Sequence, residues 1–587
     1  LKPPTIRRNE APMAVLDALL GCMLLATGDP DGSNLRFVDV TAKSGVAFTC
    51  KGGSGRLLVL DTMGSGLAVA DFDGDGDDDL YLLTGSQLDP YPKGEKPPVN
   101  RLYRNDGGLH FTDVTAESGA GLDGWSFGAV AGDYDGDGDL DLLVTRYGPD
   151  VLLRNDGGMH FTDVTAQAGV GDPRWGSGAT FFDYDRDGDL DLYVVNYIDF
   201  AERLAKFGGD LDHPEFKNFK QLPQYFHGAP NVLYRNDGDG KFTDVTAQAG
   251  VANEQGKGLG VVACDFDEDG DLDLFVANDT TANALFVNQG DGTFDELAAD
   301  AGVALGESGR PEGTMGVGCG DLDGDGRFDL VITNFDNEPN TLYRNAGGLQ
   351  FEDETRRRGL HEPTIRPVGW ASEPADFDDD GDLDLFFANG HLITDVPLFM
   401  IQHLIPQDRL PGVIEPEHFA GSYRQKQQLF LNDGKGLFSL HEDDVGPFFQ
   451  EEMVGRGAIA ADLDGDGDLD LVVQRSNEPT LIVENVGAPK NGWIEFGLAD
   501  PSGRNRHGVG ARVEVTAAGH TQIRQVTCGD SYCSQRPLAL HFGLGAVAPD
   551  GAKVEVKVRW ADGKVQWFHD VKARQRVVLR RDEGSSQ

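Results

Sequence analysis

Seven runs of nine residues in this chain carry aspartates at positions 1, 3, 5 and 9 and a glycine at position 6. Such runs offer only oxygen donors, closely spaced, and a hard cation that takes six to eight oxygens at once is the partner they suit; calcium is that cation. In the first run Asp71, Asp73 and Asp75 supply alternate side chains, Asp77 a backbone carbonyl, and Asp79 closes the loop with both carboxylate oxygens. Gly76 permits the sharp turn that an EF-hand loop also needs at its sixth position. The same roles fall to Asp133, Asp135, Asp137, Asp139 and Asp141, and to Asp183, Asp185, Asp187, Asp189 and Asp191. They recur at Asp265, Asp267, Asp269, Asp271 and Asp273, and at Asp321, Asp323, Asp325, Arg327 and Asp329. The last two sets are Asp376, Asp378, Asp380, Asp382 and Asp384, then Asp462, Asp464, Asp466, Asp468 and Asp470. So many carboxylates without a cation would repel one another, so about seven calcium sites are predicted. Sites built from this many protein oxygens are structural staples more often than sensors or catalytic centres.

These loops need rigid flanks. Each follows a small-residue stretch such as Gly66-Leu67-Ala68-Val69-Ala70 and precedes an apolar run such as Leu80-Tyr81-Leu82-Leu83 or Leu192-Tyr193-Val194-Val195. Both read as short buried strands, which makes the loop the turn of a β-hairpin. Two more motifs keep step with the loops. One is Leu102-Tyr103-Arg104-Asn105 and its repeats ending at Asn155, Asn236, Asn288, Asn345, Asn432 and Asn485; its Tyr and Arg read as packing residues. The other is Phe-x-Asp-Val-Thr or a decayed form, beginning at Phe37, Phe111, Phe161, Phe242, Phe294, Phe351 and Phe438. Turns such as Asp106-Gly107-Gly108 join them as a second hairpin. Each repeat thus supplies four strands, one blade, and the expected fold is all-β: a seven-bladed β-propeller. The first Phe strand has no partner before it and the last Asn strand none after it. Pairing them closes the ring and removes two open edges.

Strand direction puts the Asp-rich hairpins on one face and the links between blades on the other. Two links on that second face are long, Asp199–Pro230 and His391–Lys426, and carry Phe216, Phe219, Tyr225, Phe226, Phe399 and Met400. Long loops on a rigid scaffold are where binding resides, so the face opposite calcium is expected to recognise a partner. The competing expectation is that the insertions cover the channel or a C-terminal domain.

The chain of 587 residues has a net charge of −48, and seven calcium ions would leave −34. That balance argues against nucleic acid and anionic membrane as partners. From Lys490 onward 15 Lys and Arg face 10 Asp and Glu, so a basic tail domain could dock on an acidic propeller, its own or a neighbour's. Six cysteines are few for a disulfide scaffold. Cys528 and Cys533 flank one turn as a plausible clamp, and Cys22 with Cys50 and Cys264 with Cys319 are other open pairings. Open acidic loops need abundant calcium, which favours an extracellular or cell-surface protein, the periplasm being the alternative. Residues 1–36 read as a leader-like or assembly segment. Pro12–Thr27 is mostly apolar, short for a membrane span, and Leu19-Leu20-Gly21-Cys22 suggests a weak lipid-anchor box at Cys22. The divisions are then 37–487 for the propeller, 488–581 for a second domain and 582–587 for a tail.

Alternating runs such as Ala511-Arg512-Val513-Glu514-Val515 make that second domain a small β-sandwich. Its stretches Asn505–Val513, Gly529–Gln535 and His541–Gly545 resemble the ASPIC/UnbV domain. The preceding repeats resemble FG-GAP or VCBS repeats, also seen in integrin α-subunit propellers. Their order is similar to the cartilage acidic protein 1-like family in its bacterial type. That resemblance implies an extracellular, calcium-stabilised adhesion or matrix protein; the absence of catalytic motifs predicts, separately, that it is not an enzyme. Cys528 and Cys533 stand where small or apolar residues are more usual there, which implies an added disulfide. Three functions follow in order: a binding module for a surface protein or glycan, a self-assembling subunit of a filament or layer, and a polysaccharide-acting enzyme. No Gly-x-Ser-x-Gly or His-Glu-x-x-His occurs; His227 and His391, one in each insertion, are the histidines that could meet near the channel.

Overall fold

The computed structural model describes residues 35–52, 58–88, 91, 94–217, 223–392, 423–487, 491–546 and 552–586. Cys22, the apolar stretch around it, Phe219, Phe399 and Met400 lie outside them. Among the described residues, seven antiparallel sheets have four strands each. The first runs Leu67–Ala70, Asp79–Leu82, Arg101–Asn105, Phe111–Asp113, outward from the axis. Its inner two strands are buried on both faces, which is why they read as continuous apolar runs and not as alternation. The inner strands of successive sheets pack side by side, and that of the seventh, Gly455–Ala461, returns to Leu67–Ala70. The result is a closed propeller.

The seventh sheet is completed by the start of the chain. Phe37–Asp39 pairs antiparallel with Leu481–Asn485, Phe37 opposite Asn485, as the unmatched ends predicted. Outer strands are held by a repeated bond: Thr115 Oγ1 accepts the Leu102 N–H at 3.0 Å, and Thr41 Oγ1 accepts the Ile482 N–H at 2.9 Å. That is the work of the Thr in Phe-x-Asp-Val-Thr. Inner strands approach closely; a Cβ on Gly316 would lie 2.0 Å from Trp370 O, so the small residues there are demanded by the neighbouring blade.

The C-terminal part forms two sheets. One has Gly492–Ala499 between Leu540–Gly545 and Arg576–Arg580; the other has five strands, with Arg512–Ala517 and Lys553–Arg559 at its centre. Phe496, Val513, Phe542, Val556 and Trp560 are buried between them. Ser585–Ser586 pairs with Gln566 and Trp567, so the tail joins a sheet.

From this domain the segment 528–536 enters the propeller channel. It reaches all seven inner strands. Gln535 N–H bonds Leu67 O at 2.9 Å, Ala129 N–H bonds Cys533 O at 3.4 Å, and Ser531 and Val317 exchange both backbone bonds at 2.7 and 3.0 Å. Cys533 Sγ lies 3.4 Å from Leu259 O, and Ser531 Oγ donates to Ala458 O at 3.3 Å. Gly529 abuts Ala179 so closely that a Cβ would lie 2.1 Å from its carbonyl oxygen. Tyr532 packs edge-on to Trp370, ring centroids 4.9 Å apart, and donates to Met63 O at 3.1 Å. On its other side Trp370 carries the buried guanidinium of Arg456, 4.0 Å from the ring centroid.

The clamp expected between Cys528 and Cys533 is not formed; both are buried free thiols. The turn between them sends Cys533 into the channel core with Tyr532 and Trp370, while Cys528 stays in the core of the second domain. Cys264 and Cys319 lie on adjacent inner strands with their sulfurs 3.2 Å apart, also as thiols.

The insertion Asp199–Pro230 caps the opposite mouth. Phe200, Phe216 and Phe226 are buried in the same core as Tyr532. Phe200 stacks on Phe226 at 5.5 Å and meets Trp175 edge-on at 6.2 Å. These aromatics therefore cover the channel, the competing expectation; Tyr225 alone among them is 47% exposed.

Candidate metal centres

All seven Asp-rich runs fold as hairpin turns of one geometry. The first aspartate turns back over the loop: Asp71 Oδ1 accepts the Asp75 N–H at 3.1 Å and Oδ2 the Gly76 N–H at 3.0 Å. The fifth caps the seventh, Asp75 Oδ1 accepting the Asp77 N–H at 2.9 Å, and this bond recurs in the other six loops. Position 6 is left-handed throughout, with φ from 89° at Gly326 to 106° at Gly138 and Gly381. Only glycine takes that conformation without cost. Position 4 is left-handed as well. It is glycine in four loops but Arg186 (φ 60°), Glu268 (φ 65°) and Asp379 (φ 57°) in the others.

The ninth aspartate does more than close the loop. Asp79 Oδ2 accepts the Phe72 N–H at 2.9 Å and Oδ1 the Asn105 N–H at 2.8 Å. The pair of bonds is repeated at Asp141, Asp191, Asp273, Asp329, Asp384 and Asp470. Both oxygens predicted for calcium thus already brace the blade, each keeping a second lone pair for a cation. The motif asparagine links blades. Asn155 Nδ2 donates to Phe72 O of the preceding loop at 2.9 Å, as Asn236 does to Tyr134 O at 2.7 Å. Sequence reasoning missed this role, although an Asn at the same place in all seven strands was its signal.

The donor set fits a divalent cation. In the first three loops the carboxylates of positions 1, 3 and 9 bring oxygens within 4.8 Å of one another, and in the fourth and fifth those of positions 1, 3 and 5 do so. Asp135 Oδ1 and Asp183 Oδ1 are buried without a hydrogen-bond partner. Burial first, then the neighbouring carboxylates Asp137 and Asp135, pushes Asp133 up to about 7; burial and Asp187 do the same to Asp183. Crowded carboxylates that resist ionisation are the mark of a site whose charge is balanced by a cation.

The seventh position, expected to leave its side chain free, is engaged in several loops. Asp189 pairs with Arg504 at 2.7 Å and Asp271 with Arg186. The fifth loop is set apart by arginines. Arg344 Nε meets Asp323 Oδ2 at 2.6 Å and its Nη2 meets Asp325 Oδ2 at 3.1 Å; Arg358 Nη2 meets Asp323 Oδ2 at 3.1 Å, and Arg327 pairs with Asp325.

The C-terminal domain rests on this face and touches every loop. Arg576 donates to Gly76 O at 2.6 Å and to Asp462 O at 2.7 Å. His507 Nε2 lies 3.2 Å from Gly138 O, Arg504 pairs with Asp189, and Arg559 with Asp265. Arg512 donates to Gly326 O at 3.0 Å, the Gly543 N–H to Asp376 Oδ2 at 3.0 Å, and His541 Nε2 meets Asp379 Oδ1 at 2.7 Å. The basic domain docks on its own acidic propeller. Between the two lies a cavity of about 90 Å³ lined by Glu373, Glu495, Arg524, Asp530, Arg536 and His541, among others.

The two insertion histidines have different settings. His227 is exposed, its backbone N–H bonded to Asp199 at 3.0 Å, whereas His391 is half-buried beside Phe335. Among the described residues no helix is long and apolar enough to cross a membrane.

Residues 71–144, 133–194, 225–276, 265–332 and 321–387 match the FG-GAP-like repeat, and residues 501–586 match the ASPIC and UnbV family. Cartilage acidic protein 1 from Homo sapiens is 31% identical over 333 residues, 55% of this chain and 43% of that protein. The Xenopus tropicalis protein of the same name is 29% identical over 336 residues, 55% and 44% of the two chains. The chain thus spans less than half the length of these relatives. Among solved structures, an Agrocybe aegerita lectin with specific recognition of non-reducing terminal N-acetylglucosamine has a TM-score of 0.39 at 16% identity, over 72% of this chain and 92% of that one. BBS1N in complex with ARL6DN has a TM-score of 0.39 at 9% identity, over 75% and 94%.

Proposed function

From a chain that carries FG-GAP-like repeats and a C-terminal ASPIC and UnbV domain, and that is homologous to cartilage acidic protein 1, we propose an extracellular, calcium-stabilised, non-enzymatic binding protein. Its partner is a surface protein or glycan, held on the propeller face opposite the Asp-rich loops. The observation that carries this reading is the docking of the C-terminal domain. That domain covers the Asp-rich face and fills the channel with Tyr532; among the described residues the link face is the broad propeller surface it leaves uncovered. On that face the buried aromatics of Asp199–Pro230 form a base from which Tyr225, 47% exposed, stands out, and Leu305, 38% exposed, lies in the link between the fourth and fifth blades. Exposed apolar side chains on a rigid, otherwise polar face suit recognition of another surface. Acidic loops of this type work where calcium is abundant, as it is outside cells, which supports the location.

The test is a binding screen of the native protein in calcium against glycans and surface proteins. Tyr225→Arg and Leu305→Arg abolish capture of whatever binds, while Val578→Arg, at a 59% exposed position on the C-terminal domain, leaves it intact. Capture lost only with the Val578 substitution would move recognition to the other face. Regular polymers seen by light scattering, without capture of any ligand, would replace recognition with self-assembly.

A further inference from the structure

The fifth loop has the ligand sequence of the other six but not their surroundings. In three other blades the motif arginine bonds an aspartate in the turn that follows: Arg104 with Asp106, Arg154 with Asp156, Arg235 with Asp237. In the fifth blade that turn residue is Ala346. Lacking its usual partner, Arg344 turns inward onto Asp323 and Asp325. Arg358, itself held by Glu354 at 2.6 Å, adds a second guanidinium to Asp323, and Arg327 adds a second to Asp325. Arg327 occupies the seventh position, where every other loop has aspartate. Three separate sequence changes thus converge on the two carboxylates in the middle of one loop.

The consequence is a matter of charge and of oxygens. Three guanidinium groups contact Asp323 and Asp325, two of the four ligand aspartates, and offset the negative charge that draws a divalent cation there. Asp325 Oδ1 accepts the Arg327 N–H at 3.1 Å as its counterparts do in the other six loops, but Asp325 Oδ2 is held by Arg344 and Arg327, and Asp323 Oδ2 by Arg344 and Arg358. Of the two mid-loop carboxylates only the Oδ1 atoms carry no guanidinium, and that of Asp323 is buried without a hydrogen-bond partner. Calcium affinity follows the number and charge of its oxygen ligands. The fourth loop also meets arginines, but at Asp265 and Asp271; among the described residues none pairs with Asp267 or Asp269. We infer that the fifth loop is closed by guanidinium instead of calcium, so that the chain binds six calcium ions and the fifth blade stands without metal. This rests on the calcium reading of the other loops.

The test is a count of bound calcium on the full-length native protein, by native mass spectrometry after equilibration in about 1 mM calcium. Wild type is expected to carry six. Asp323→Asn with Asp325→Asn leaves the count at six, whereas Asp73→Asn with Asp75→Asn in the first loop lowers it to five. Arg344→Ala with Arg327→Asp raises it to seven. A wild-type count of seven, or a count lowered by the fifth-loop pair, overturns the inference while leaving the calcium reading standing. A count of zero removes both.

Discussion

Position 4 of the Asp-rich loop shows how single residues are fitted to a sevenfold frame. The backbone there is left-handed, and glycine is the residue without penalty. The three exceptions each use the side chain that glycine lacks. Arg186 pairs with Asp271 of the next loop, Glu268 lies 3.8 Å from Arg512, and Asp379 meets His541 at 2.7 Å. The first pair is partly exposed and the last is buried on both sides, 8% and 4% accessible. Half-exposed pairs contribute about 0–1 kcal/mol, and left-handed backbone costs a β-carbon residue about 1 kcal/mol. Arg186→Gly is therefore expected to change stability by less than about 1 kcal/mol. Asp379→Gly leaves His541 buried without its partner and costs about 1–3 kcal/mol. Chemical denaturation of the two variants in calcium checks the difference; equal effects would mean that the buried contact contributes nothing. The ligand aspartates were legible in the sequence because type and spacing recur seven times. The partners of Asp379 and Asp265 were not, since His541 and Arg559 are 162 and 294 residues away and nothing local marks them.

Among the elements, strands and hairpins followed from short apolar runs bounded by turn residues, and the unpaired ends foretold the pairing of Phe37–Asp39 with Leu481–Asn485. The segment 528–536 was a different case. Gly529-Asp530-Ser531-Tyr532 reads locally as a polar turn, yet it lies in the channel with Asp530 and Arg536 paired and Arg536 bonded onward to Glu373 at 3.1 Å. Burial of a turn requires partners for every backbone group, and here the inner strands supply them. Sequence periodicity carries no information about a hole that exists only after seven blades have closed. Tyr532→Ala removes a ring packed on Trp370 and a bond to Met63 O, and its cost is expected at about 3–5 kcal/mol. Hydrogen exchange gives the sharper readout: protection is lost at Val317, Leu67 and Val69, whose backbones bond the segment, before it is lost on outer strands. Uniform loss over all strands would show that the segment does not unfold on its own.

For the whole molecule the balance of charge decides what holds it together. Net charge is −48, and most of it sits on one face beneath a basic domain. An ion bound at about a hundredfold excess over its Kd adds about 2.7 kcal/mol to stability. Several such ions together exceed the ~5–15 kcal/mol by which a folded chain outweighs its unfolded state. Excess chelator is expected to lower the melting temperature by more than about 10 °C; an unchanged melt would sink the calcium reading of the loops. The seventh blade carries one more consequence. Its outer strand comes from the front of the chain, and the Thr41–Ile482 bond that fastens it spans 441 residues. On the ribosome the disc must wait, six blades built and the rim open, until residue 485 emerges, and the piece that fills its hub is made later still. Contacts of such sequence separation are slow to form, and the Tyr532–Met63 bond in the hub spans 469 residues, so the late steps of maturation are the seam and the hub and not the blades, each of which has its own hairpins within reach.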